Sequence, residues 1–197
     1  GAREDGACSA ETRGEGALIA GPLSAGLATV GASAAATPQA LAPTELVGNG
    51  GFETGSLAPW QAGAPAHVTN TVYRSGRFAA QLTTGDSQRG FVYQPLVFPT
   101  GIVSATLTFW LRSDTTETFY GVDYCWLGLY TAAHDRLRLV MPLGILDGTL
   151  VTGQWARATY LFDAPTIAAL QGQTLYLVFA GETDYSLPTR FYVDDVS

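Results

Sequence analysis

From Leu46 onward the chain is built of short apolar runs that alternate with period two. The clearest is Ala105-Thr106-Leu107-Thr108-Phe109-Trp110-Leu111-Arg112. Leu107, Phe109 and Leu111 share one face of it, and Thr106, Thr108, Trp110 and Arg112 share the other. Residues 124–130 repeat the pattern, with Cys125, Leu127 and Leu129 on one face and Tyr124, Trp126 and Tyr130 opposite. Further strands are predicted at 78–82, 90–94 (ended by Pro95), 136–141, 156–162, 174–179 and 191–196, the third pairing back onto 124–130. Clusters of Gly, Pro, Asp and Ser separate these runs at nearly even spacing, the pattern of a sandwich or barrel. One helical turn is predicted, at 165–170.

The aromatic distribution divides the chain. All 22 aromatic residues (9 Phe, 9 Tyr, 4 Trp) lie at or beyond Phe52. Residues 1–45 are mostly Ala, Gly, Ser, Thr and Pro, which bury too little surface to offset chain entropy. The reading is an extended N-terminal tail over 1–45 and one domain over 46–197. The expected fold is all-β, a jelly-roll β-sandwich of two antiparallel sheets.

Charge narrows the partners. The net charge is −7, only 14% of residues are charged, and the ten basic residues are all arginine. A basic face for phosphates is missing, which argues against nucleic acid. No apolar run approaches the ~18 residues of a membrane span. Residues 17–36 resemble a signal-peptide core, but Gly21, Pro22, Gly26 and Gly31 interrupt it and the segment before it carries Glu4, Asp5, Glu11 and Glu15. Cys8 and Cys125 allow two readings, a disulfide that staples the tail to the domain or two free thiols with Cys125 a small buried hydrophobe.

Two bookends carry the candidate chemistry. Asn49-Gly50-Gly51-Phe52-Glu53-Thr54-Gly55 opens the domain and Phe191-Tyr192-Val193-Asp194-Asp195-Val196-Ser197 closes it. If first and last strands meet there, Glu53 with Asp194 or Asp195 supplies carboxylates. The glycines Gly50 and Gly51, and the Ser75-Gly76 turn, bring backbone carbonyls close. Calcium takes 6–8 such oxygens. The alternative is that these are solvated edge charges that discourage strand aggregation.

Asn49-Gly50-Gly51-Phe52-Glu53, followed by Trp60, resembles the opening of carbohydrate-binding-module families with a galactose-binding-like jelly roll. Arg74-Ser75-Gly76-Arg77-Phe78-Ala79, Gly153-Gln154-Trp155 and the stretch from Gly172 to Ser197 are similar to their later blocks. Such domains occur in secreted bacterial peptidases and surface proteins. The resemblance implies a structural Ca2+ held by Glu53 and Asp194, with Asp195 second, and by carbonyls at Ser75 or Gly76.

Sugars stack on aromatic rings beside polar groups. With Leu107, Phe109, Leu111, Leu127 and Leu129 as core, Trp110, Arg112, Tyr124, Trp126 and Tyr130 face away from it and could form one aromatic surface. The alternatives are that the tail or another subunit covers this face, or that inside and outside are reversed. Trp60 is read as core and Trp155 as closing one end of the sandwich. Catalysis finds little support: His67 and His134 sit in polar, loop-like contexts, and no nucleophile elbow or His-Glu-x-x-His helix occurs.

Two functions follow. One is a non-catalytic, calcium-stabilised extracellular module, most naturally for carbohydrate. The other is a structural or adhesive subunit of a filament or surface layer. In that case the apolar tail segments 18–20 and 27–30 would add a strand to a neighbouring copy, forming a homopolymer.

Overall fold

A computed structural model of the chain describes residues 43–133, 136–147 and 152–197, with side chains described outside 132–151. The tail, its strand donation, Cys8 and His134 lie outside the described residues. Ten strands and one helix follow in order: β1 (Gln61–Gly63), β2 (His67–Thr69), β3 (Ala79–Gln81), β4 (Arg89–Val97), β5 (Ala105–Thr115), β6 (Tyr124–Ala133), β7 (Arg136–Asp147), β8 (Ala156–Phe162), α1 (Ala164–Leu170), β9 (Thr174–Glu182) and β10 (Thr189–Asp194). They form two five-stranded sheets. The first has the order β1-β4-β9-β6-β7 and the second β2-β3-β10-β5-β8. Neighbouring strands pair antiparallel throughout.

The core lies between the sheets and is filled by the alternating positions. Leu107, Phe109 and Leu111 of β5 face Cys125, Leu127 and Leu129 of β6 and Leu175, Leu177 and Phe179 of β9, all buried. The Phe109 ring meets Phe179 edge-on at 5.0 Å and stacks on Tyr160 at 6.0 Å. Asp163 caps α1 by accepting from the Thr166 N–H at 3.0 Å, and Ile167 and Leu170 seat the helix on the core.

Three expectations are corrected. Pro95 lies inside β4, paired with Tyr176. β1 pairs with β4 only as far as Tyr93, so beyond it β4 is an edge strand and tolerates the missing N–H. His67 lies on strand β2 rather than in a loop. Residues 48–60 form turns, not a first strand. Asn49 and Phe52 take left-handed φ values of 50° and 57°, which break any extended run.

Candidate functional site

The opening loop is organised by Asn49. Its Nδ2 donates to Thr54 Oγ1 at 3.0 Å and to the carbonyls of Ser56 and Ala58 at 2.9 Å each. The Trp60 indole donates to the Asn49 carbonyl at 3.3 Å. Phe52 and Trp60, 5.7 Å apart, anchor the loop in the core. The loop then meets the end of the chain: the Val196 N–H donates to the Gly50 carbonyl at 3.0 Å. A Cβ at Gly50 would sit 1.7 Å from the Val196 carbonyl oxygen, so the two segments touch backbone to backbone.

This contact gathers Glu53, Ser75, Gly76, Asp194 and Asp195 at one corner. Asp194, fully buried, accepts the Arg74 and Ser75 N–H groups at 2.8 and 3.3 Å and the Asp195 N–H at 2.7 Å. Burial pushes its carboxyl up to about 6; the Asp195 charge adds to this, and the N–H donors oppose it. Asp195 accepts from Arg74 Nη1 at 2.8 Å and from Ser75 Oγ at 2.7 Å. Glu53 caps the 77–78 backbone, accepting from the Arg77 N–H at 3.0 and 3.1 Å and from the Phe78 N–H at 3.0 Å. Gly76 has φ +63°, and a Cβ there would sit 2.3 Å from the Glu53 carboxylate. Gly51 turns its Cβ-less side toward all three acids: a Cβ would lie 3.5 Å from Asp195 Oδ1, 3.6 Å from Glu53 Cγ and 4.0 Å from Asp194 Oδ1. Each of the three carboxylates is engaged by donors of the 74–78 turn, Asp195 by the Arg74 guanidinium among them.

A second acidic group was not read from the sequence. Glu117, Asp123 and Asp184 bring one oxygen each to within 4.8 Å of one another, at the opposite end of β10, and this cluster could hold a metal ion. Asp123 accepts from the Asp184 N–H at 2.7 Å and from Thr189 Oγ1; Glu117 accepts the Thr118 and Phe119 N–H groups at 2.7 and 2.8 Å. Burial raises the Asp123 pKa from its ordinary value, opposed by its Thr189 and Asp184 hydrogen bonds, with the Asp184 and Glu117 charges raising it further. The local signal, acids at the ends of β5, β6 and β9, becomes a cluster only through long-range pairing.

The aromatic candidates do not form one surface. Trp110 and Arg112 lie on β5 in the second sheet, whereas Tyr124, Trp126 and Tyr130 lie on β6 in the first. Both sets face away from the core, so the two groups stand on opposite sides of the sandwich. Trp110 is further covered by the Arg74 guanidinium at 4.2 Å, and Arg112 is paired with Asp114 at 2.8 Å. Cys125 is a free, buried thiol, pushed by burial to about 12.

What surrounds Tyr124, Trp126 and Tyr130 is a wider aromatic face. Register across β4, β9 and β6 gives four outward rows: Arg89–Glu182–Tyr124, Phe91–Ala180–Trp126, Tyr93–Val178–Gly128 and Pro95–Tyr176–Tyr130. The middle strand contributes only small side chains at its centre, Ala180 and Val178, both buried. Strands on either side carry rings, spaced roughly 10 Å apart across two strand intervals. One wall is Phe91 and Tyr93, 6.1 Å apart; the other is Trp126 and Tyr130, 5.7 Å apart. Tyr176 meets Tyr93 edge-on at 5.8 Å at one end, and the Tyr93 hydroxyl and Gln61 Oε1 are 2.6 Å apart. Arg89 and Glu182 occupy the other end. The result is a shallow aromatic trough whose small central side chains are covered, with polar atoms at its rim. Phe91, Tyr93 and Tyr176 were missed because the sequence does not say that β9 lies between β4 and β6.

No family model and no curated protein sequence matches this chain. Solved structures do resemble the sandwich. TmCBM61 in complex with β-1,4-galactotriose is 16% identical, with 78% of this chain and 97% of that chain covered and a TM-score of 0.53. The K3 cleaved adhesin domain of Lys-gingipain from Porphyromonas gingivalis is 16% identical over 77% and 97%, with a TM-score of 0.52. The CBM22-2 xylan-binding domain of Xyn10C from Paenibacillus barcinonensis is 18% identical over 75% and 95%, with a TM-score of 0.50. The chain therefore has the jelly-roll β-sandwich fold of carbohydrate-binding modules.

Proposed function

We propose that this chain is a non-catalytic carbohydrate-binding module of extracellular or cell-surface setting, and that the outer face of the β1-β4-β9-β6-β7 sheet takes the glycan. The observation that carries this reading is the trough. Phe91, Tyr93, Trp126 and Tyr130 offer partly exposed rings for the apolar C–H faces of a pyranose. Gln61, Arg89 and Glu182 provide hydroxyl partners at the rim. The fold likeness to modules solved with galactotriose or named for xylan supports the same reading, and makes galactan and xylan the first polysaccharides to try.

Glu53, Asp194 and Asp195, with the Gly51, Ser75 and Gly76 backbone, would hold a structural Ca2+. When bound, the ion would tie the opening loop, the 74–78 turn and the chain's last residues together, away from the trough, and take no part in sugar contact. Its role is to stiffen the sandwich.

Retention of the folded chain on insoluble galactan or xylan, with loss of retention in Trp126→Ala, tests the reading. A folded native chain that passes through a broad panel of polysaccharides unretained would overturn it.

A further inference from the structure

Arg89 and Glu182 are the charged residues among the described outward rows of the trough. They face each other across β4 and β9, with Arg89 Nε 3.8 Å from Glu182 Oε2. The Arg89 guanidinium also reaches over the Trp126 ring, 5.8 Å from its centroid. Glu182 lies between Arg89 and Tyr124, interacts with the tyrosine hydroxyl, and helps to raise the Tyr124 pKa after burial. Both side chains remain open to solvent, Arg89 at 64% and Glu182 at 39%.

Alone, an exposed guanidinium beside an indole face would be a good site for an acidic sugar. Its donor fork fits a carboxylate, and the indole stacks the ring. Glu182 cancels that preference. An incoming uronate must approach a fixed carboxylate and compete with it for the same guanidinium, and like charges brought together exclude a partner that the remaining contacts would accept. A neutral sugar meets no such opposition, because its hydroxyls can accept from Arg89 and donate to Glu182. The chain's net charge of −7 works in the same direction.

We infer that Glu182 is a specificity-determining residue that restricts the trough to uncharged glycans and excludes uronate-bearing ones. This rests on the trough being the carbohydrate site.

The test is affinity electrophoresis of the native chain, Glu182→Gln, and Glu182→Gln combined with Arg89→Gln. The gels contain galactan, arabinoxylan, polygalacturonate or alginate. The native chain is expected to be retarded by a neutral polysaccharide and not by the polyuronates. In Glu182→Gln the affinity for a polyuronate relative to that for the neutral polysaccharide should rise about three- to fivefold, a rise that high salt and the double variant both abolish. Isosteric replacement at an exposed rim position leaves the fold in place, which thermal unfolding verifies. If the native chain binds a neutral gel but Glu182→Gln gains nothing on polyuronate relative to that gel, the inference falls and the trough reading stands. Equal binding of neutral and uronate gels by the native chain also overturns the inference alone. A folded native chain that binds neither class overturns both.

Discussion

Gly76 shows how tightly the opening corner is drawn. It needs a left-handed φ, and any Cβ there would run into the Glu53 carboxylate. Gly76→Ala is therefore expected to cost about 1–3 kcal/mol, and to move Glu53 off the Arg77 and Phe78 N–H groups. Thermal unfolding checks this, together with loss of any calcium response. Asp194 gives a pH signature. Its folded pKa of about 6 is raised above 3.8, chiefly by burial. Without a cation, protonation of Asp194 favours the folded chain. That stabilisation is complete below the unfolded value and is lost as pH rises through about 6. A bound dication needs the ionised carboxylate, so the increase in Tm on adding calcium should be larger at about pH 7.5 than at about pH 5. An increase that does not change with pH would remove Asp194 from the cation's ligands.

At the scale of elements, alternation within a strand was legible and the identity of its neighbours was not. Leu107, Phe109 and Leu111 were read correctly as inward because hydrophobic period two is a local property. Trp110 and Trp126 obey the same local rule, and both face outward. Whether they share a surface depends on β5 pairing with β10 and β8 while β6 pairs with β9 and β7, contacts between residues tens of positions apart. The opening motif was misread as a strand: Phe52 is buried, yet it sits in a turn held by the Asn49 amide. Glu53 and Asp194 met because the Gly50–Val196 contact joins their segments, a consequence of both chain regions closing the same corner. The acids Glu117, Asp123 and Asp184 carried no comparable motif. Element-level packing also predicts a strong response at Phe109, wedged between Phe179 and Tyr160. Phe109→Ala should destabilise the domain by about 3–5 kcal/mol in denaturant unfolding.

For the whole molecule, the sandwich separates its tasks. One corner gathers Glu53, Asp194 and Asp195, the far end of β10 holds the acidic cluster of Glu117, Asp123 and Asp184 that could hold a metal ion, and the aromatic trough occupies the outer face of one sheet. Carbohydrate contact should therefore be lost by changes on β4, β6 and β9 and be indifferent to changes on the outer face of β5. The most direct measurement is the retention of three proteins on the same galactan or xylan gel: the native chain, Trp126→Ala and Trp110→Ala. The native chain and Trp110→Ala are expected to be retained alike, while Trp126→Ala loses roughly tenfold in affinity. Undiminished retention of Trp126→Ala, or an equal loss in Trp110→Ala, would contradict the placement of the glycan in the trough.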